Sequence, residues 1–208
     1  MTAMTSRSTI FASIDAATAT IQTKAPLPDY DVTITQSLPK LEGADLWQIF
    51  RRNFTAVNGR TMESIAAMME FLKTNGYTHG YCDPALFSTI GTQLISSGFG
   101  LSTDFDRTRY DDYQFGITRA TGAIAESGTL ILDDERTSRR LAALAPWVHV
   151  AVLQRPEIHR TISDALAALG NSPNIIWCTG PSKTADVEGI LIEGVHGPGE
   201  QIALLVTG

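Results

Sequence analysis

The sequence predicts an α/β domain in which a mostly parallel β-sheet is covered by helices on both faces. Two observations carry that prediction. Short apolar runs, among them residues 77–82, 115–118, Val148–Leu153 and Ile175–Cys178, alternate with amphipathic stretches. This is the pattern of strands buried on both sides and joined by crossover helices of about ten to fifteen residues. The second is size: 208 residues, 43% hydrophobic and 18% charged, fit one globular domain with a small appendage. A chain of that length buries roughly 70% of its unfolded surface and needs neither disulfide nor metal to hold a core.

Residues 8–20, rich in Ala, Thr and Ile, predict a short helix, followed by the Pro-containing connector 24–29. Leu46, Phe50, Phe54 and Val57 recur at helical spacing and predict an amphipathic helix over 44–57. Residues 1–60 therefore read as an N-terminal helical extension packed on a main domain of residues 61–208. In that domain Ile65, Met68, Met69 and Leu72 mark a helix that Gly76 closes. Residues 77–82 are strand-like, and Pro84 opens a helix that ends at Gly98. Strands at 115–118 and 129–132 flank the segment 122–128. Val148–Leu153 is apolar throughout except for His149. Ile158, Ile162, Ala165 and Leu169 form the stripe of the next helix, closed by Gly170, and strands follow at Ile175–Cys178 and 201–206.

Composition excludes several function classes. With 16 Lys and Arg against 22 Asp and Glu the net charge is −6, too acidic for a nucleic-acid or anionic-membrane binder. No apolar run approaches the ~20 residues of a membrane span. Residues 1–14 carry one Arg and no unbroken apolar run, so no secretory signal is expected and the cytoplasm is the expected location. Cys82 and Cys178 stand far apart and outside any CxxC or Cys/His cluster, so a self-contained zinc or iron–sulfur site is excluded. Both read as small buried hydrophobes. No metal and no cofactor are expected in this chain.

Sheets of this kind bind ligands outside the carboxyl ends of their strands. Two segments rich in small and polar residues are expected there. The first follows the strand Ile175–Cys178 and contains Gly180, Ser182, Lys183, Thr184 and Asp186. Backbone N–H groups at a helix start, two hydroxyls and a lysine would hold an anion. A helix start capped by Ser182 or Thr184 explains the same letters. The loop resembles a P-loop only in its Lys–Thr pair, because the GxxxxGK[ST] spacing is absent. The second segment contains Glu126, Ser127, Gly128 and Thr129. Its carboxylate is a candidate base, nucleophile or ligand contact, and a tight turn with hydroxyls bonded to backbone is the other reading. Ser127 lies outside any GxSxG elbow.

Of the four histidines, His79 and His149 fall in strands and read as structural, and His159 falls on a helix and reads as solvated. His196, within Gly194–Val195–His196–Gly197–Pro198–Gly199, reads equally as a ligand neighbour or as part of a glycine-rich turn. The GxxGxG spacing differs from the dinucleotide fingerprint.

These segments together resemble a known family. Phe115–Gly116–Ile117–Thr118 followed by Ala123–Ile124–Ala125–Glu126–Ser127–Gly128–Thr129–Leu130 is similar to one signature of the lactate-utilization protein C family of LUD-domain proteins. Gly180–Pro181–Ser182–Lys183–Thr184–Ala185–Asp186–Val187–Glu188, then Gly194–Val195–His196–Gly197–Pro198, is similar to the other, with Pro146 and the His149 strand between them. The resemblance covers roughly residues 60–206. It implies a three-layer α/β/α sandwich similar to the sugar-phosphate isomerase and coenzyme A transferase superfamily. It also implies a part in oxidising L-lactate to pyruvate beside iron–sulfur proteins of one operon, which would hold the clusters. The expectation is an accessory component that binds a small anionic ligand. Two alternatives stay open: an independent transferase or isomerase acting on a coenzyme A- or phosphate-bearing substrate, and a non-catalytic ligand sensor. In the former Glu126 would be the nucleophile, since Glu126–Ser127–Gly128 resembles the Glu–Asn–Gly motif of coenzyme A transferases, with Ser in place of Asn.

Overall fold

The computed structural model describes residues 6–21, 26, 28, 29, 31–43, 45–133, 140–170, 172, 174–185 and 189–206. Two compact units are present, Met1–Ile34 and Thr35–Gly208. The first contains helix α1 (Ser6–Thr18), none of whose residues is buried. The boundary between units thus falls at 34/35, not at the expected residue 60. The reason is helix α2 (Leu46–Ala56), whose Trp47, Ile49, Phe50 and Phe54 are essentially buried in the core of the second unit. Fully burying one such side chain contributes roughly 1.5–3 kcal/mol, so α2 is part of the domain and not an appendage.

The strands of the second unit are β1 (Arg60–Met62), β2 (His79–Cys82), β3 (Gly100–Ser102), β4 (Phe115–Arg119), β5 (Gly122–Ile124), β6 (Thr129–Asp133), β7 (Val148–Leu153), β8 (Ile158–His159), β9 (Ile175–Cys178), β10 (Lys183–Thr184), β11 (Ile192–Glu193) and β12 (Glu200–Leu205). Its further helices are α3 (Ile65–Thr74), α4 (Pro84–Leu86), α5 (Thr92–Ser96), α6 (Arg140–Leu144) and α7 (Ile162–Leu169). Six strands form the central sheet in the order β1-β12-β7-β4-β2-β3, every pair parallel. The mostly parallel sheet predicted from the apolar runs is present, with helices on either side.

Alternation along β7 and β12 sorts the two faces. Val148, Val150 and Val152 with Ile202 and Leu204 face Met68 and Leu72 of α3 and Ile90 and Leu94 of the segment from α4 to α5. Ala151, Leu153, Ala203 and Leu205 face α2 and Ala123, Leu130 and Ile158. The latter residues belong to a second sheet, ordered β8-β5-β6-β9, in which β6 is antiparallel to both β5 and β9. The sequence pattern did not separate β9 from the central sheet. A four-residue apolar run carries no signal of its partner. The expected helix over 84–98 is present as far as Ser96, but Phe87–Gly91 between α4 and α5 is a π-helix. His159 is in strand β8 and not on a helix, because α7 starts only at its Thr161–Asp164 capping box. Among the described residues, no helix is long and apolar enough to cross a membrane.

Candidate functional site

The turn that joins β5 to β6 carries Glu126, Ser127 and Gly128. Gly128 has φ +63°, and a Cβ there would lie 2.4 Å from the Phe54 nitrogen and 2.5 Å from the Asn53 carbonyl carbon. Only glycine lets this turn touch the backbone of α2. Asn53 Nδ2 donates to the carbonyls of Ala125 (2.8 Å), Glu126 (3.1 Å) and Lys40 (2.9 Å), fixing the turn against the helix. Glu126 is buried, its N–H donates to the Arg160 carbonyl, and its carboxylate accepts the Ser37 N–H. That carboxylate, the candidate catalytic group, is thus engaged with backbone. Ser127 Oγ lies 2.7 Å from Thr129 Oγ1, which lies 2.8 Å from Thr179 Oγ1. This chain of hydroxyls crosses from β6 to the end of β9, so the two sequence segments are in contact.

Beyond β9 the chain turns at Gly180, φ +79°, where a Cβ would meet the Val57 carbonyl oxygen at 2.2 Å. Lys183 and Thr184 form β10, antiparallel to β11. The expected helix start is therefore absent: Lys183 sits in a hairpin. Its Nζ donates to the Val57 carbonyl (2.8 Å) and lies 3.7 Å from Glu193 Oε1, which also accepts from Asn58 Nδ2 at 2.7 Å. Val57 is the C-cap of α2, so the ammonium meets the negative end of that helix, where a cation is favoured. Ser182 donates its N–H to the Pro198 carbonyl and accepts from the Gly194 N–H, locking it into the glycine loop. A cleft of about 260 Å³ results, in which Thr179, Gly180, Ser182, His196, Gly197 and Gln201 take part. Asp186 lies outside the described residues.

The structure corrects where this loop stands relative to the central sheet. Its neighbours Pro198 and Leu144 precede β12 and β7, and Val57 precedes β1. The loop therefore lies at the amino edge of the parallel strands and not at their carboxyl edge. The cause is β9, which runs in the second sheet, so its end does not follow the direction of the central strands.

Four residues of the site were not singled out by sequence: Asn53, Thr179, Gln201 and, as part of a network, His149. Gln201 Nε2 lies 2.6 Å from His149 Nδ1, and His149 Nε2 lies 2.9 Å from Thr118 Oγ1. All three side chains are buried, in a row across β12, β7 and β4. With the Gln201 amide donating to Nδ1, the neutral imidazole donates from Nε2 to Thr118. Burial holds its pKa down at about 4. A polar residue on the apolar face of α2 and a polar letter in β7 were the available signals for Asn53 and His149. Burial pushes the Cys82 thiol up to about 12 and the Cys178 thiol up to about 11, so both are protonated at neutral pH.

Residues 69–206 match the LUD domain family. Among curated relatives, the lactate utilization protein C of Deinococcus radiodurans is 31% identical over 130 residues, covering 60% of this chain and 59% of the relative. That of Bacillus subtilis is 32% identical over 100 residues, covering 44% of this chain and 42% of the relative. The chain thus spans about half the length of the curated relatives it matches. The crystal structure of a DUF162 family protein from Deinococcus radiodurans superposes with a TM-score of 0.58 at 20% identity, covering 78% of this chain and 96% of that one, a likeness of fold. The family match takes in both segments of the site and well over half of the sequence, and the chain belongs to the LUD domain family.

Proposed function

We propose that this chain is an accessory component of lactate utilization that binds a small carboxylate, while electron transfer takes place on iron–sulfur partner proteins. The relatives named lactate utilization protein C support the process. Two cysteines, both protonated at neutral pH, support the division of labour. The observation that carries the ligand is the cleft itself, where Thr179, Ser182 and His196 take part together beside the hairpin of Lys183. At about 260 Å³ it suits a molecule of a few heavy atoms, smaller than the usual ligand pocket of roughly 300–1,000 Å³. Hydroxyls of Thr179 and Ser182 would donate to the carboxylate. Lys183, held by Val57 through one of its three donors, would supply the positive field. Glu126, Ser127, Gly128 and Thr129 then form the wall that fixes Thr179, and Thr184 closes the hairpin with Ile192.

Calorimetry with lactate, pyruvate, phosphate and coenzyme A tests the reading. Binding of lactate or pyruvate, weakened in Lys183→Met, supports it. Coenzyme A binding at this cleft with acyl transfer by the isolated chain would move the protein to a transferase.

A further inference from the structure

A cleft of about 550 Å³ in the second unit lies away from this site. It opens at the carboxyl edge of the central sheet, where parallel sheets place ligands. Arg119 ends β4, Val152 and Gln154 lie at the end of β7, and Val206 follows β12. Ile65 opens α3 after β1, and Ala85 and Leu86 belong to α4 after β2. Five of the six parallel strands thus lead into one hollow.

Its lining divides by chemistry. Ile65, Leu86, Ile90, Val152 and Val206 give an apolar wall. Arg119, Gln154 and Glu157 give a polar end. There Glu157 Oε1 accepts from Arg119 Nη2 (3.1 Å) and Oε2 accepts the Gln154 N–H (2.8 Å). Among the described residues, Nη2 is the only side-chain nitrogen of Arg119 in a hydrogen bond, and the side chain is 54% exposed, which leaves the rest of its fork for a ligand. The amino end of the ten-residue α3 also faces the hollow and favours negative charge. Its other wall contains Thr89 and Ile90 of the π-helix, a distortion frequent at functional sites. Two further hollows of about 340 and 330 Å³ share Gln93 with it, extending the space between α3 and α5.

The geometry points to a second binding site, for an elongated organic anion: a carboxylate head on Arg119 and an apolar chain along Ile65, Leu86 and Ile90. The cavity is about twice the volume of the cleft near Ser182, too large for a short hydroxy acid to fill.

The test is calorimetry of the full chain with acetate, butyrate, hexanoate and octanoate below their micellar concentrations, and with octanol as the uncharged analogue. Affinity should rise about fourfold per added methylene. Arg119→Gln should weaken octanoate about tenfold. Ala85→Trp, at an exposed helical position, should fill the hollow and abolish binding with the fold intact. Lys183→Met should leave octanoate affinity unchanged. Absence of octanoate binding, or binding by Ala85→Trp equal to wild type, would overturn the site. Equal affinity for octanol and octanoate would overturn the anionic head. Loss of octanoate binding in Lys183→Met alone would assign the ligand to the other cleft and refute this one.

Discussion

Acid should destabilise this protein through His149. The imidazole is fully buried between Thr118 and Gln201, and burial takes its pKa from 6.5 to about 4. In the unfolded chain it binds a proton below 6.5, whereas the folded state does not until about 4. Stability from this residue is therefore complete above pH 6.5 and is lost as pH falls from there toward 4. The gap sets a ceiling of about 3 kcal/mol, of which about 2 kcal/mol falls between pH 7 and pH 5. With a urea m-value of about 2 kcal/mol/M, the unfolding midpoint should drop by about 1 M over that range. Urea titration at the two pH values, on wild type and on His149→Gln, isolates the effect. Glutamine can still donate to Thr118 and accept from Gln201, so the variant should fold and lose this part of the pH dependence. A pH dependence identical in both proteins, or a His149 imidazole resonance titrating near 6.5, would refute the reasoning.

At the turn, Glu126→Gln keeps an oxygen to accept the Ser37 N–H and should change the melting temperature little, whereas Glu126→Ala should cost about 1 kcal/mol by removing the acceptor of that part-buried donor. Equal thermal stability of the two variants would show that the hydrogen bond contributes nothing. Affinity capture of the tagged chain from lactate-grown cells should bring down proteins carrying iron and acid-labile sulfide, the chain itself holding none after anaerobic purification. A cluster reconstituted on the isolated chain would contradict the division of labour.

The layered fold was legible because periodicity reports burial. The helix stripe of Leu46, Phe50 and Phe54 and the apolar run of β7 each state which faces are covered; Phe50, Phe54 and β7 are in the core and Leu46 packs against it. What periodicity does not state is pairing. Nothing in Ile175–Cys178 distinguishes a strand of the central sheet from an antiparallel partner of β6, and that choice moved the Lys183 loop from one sheet edge to the other. Lys183 shows the same limit at a single residue. Its position after a strand suggests a helix start, yet its ammonium meets the end of α2, more than a hundred residues earlier. The contact of the two segments through Thr129 and Thr179 rests on long-range pairing that no local pattern encodes.

The account turns on whether the cleft beside Lys183 holds a small carboxylate, and calorimetry of lactate and pyruvate binding to wild type and Lys183→Met decides it. Lys183 acts on the carboxylate through its field, and a partly screened charge contributes about 1 kcal/mol, so the account predicts measurable binding to wild type that the variant weakens about fivefold with the fold retained. Binding equal in the two proteins, or none to wild type, would contradict it.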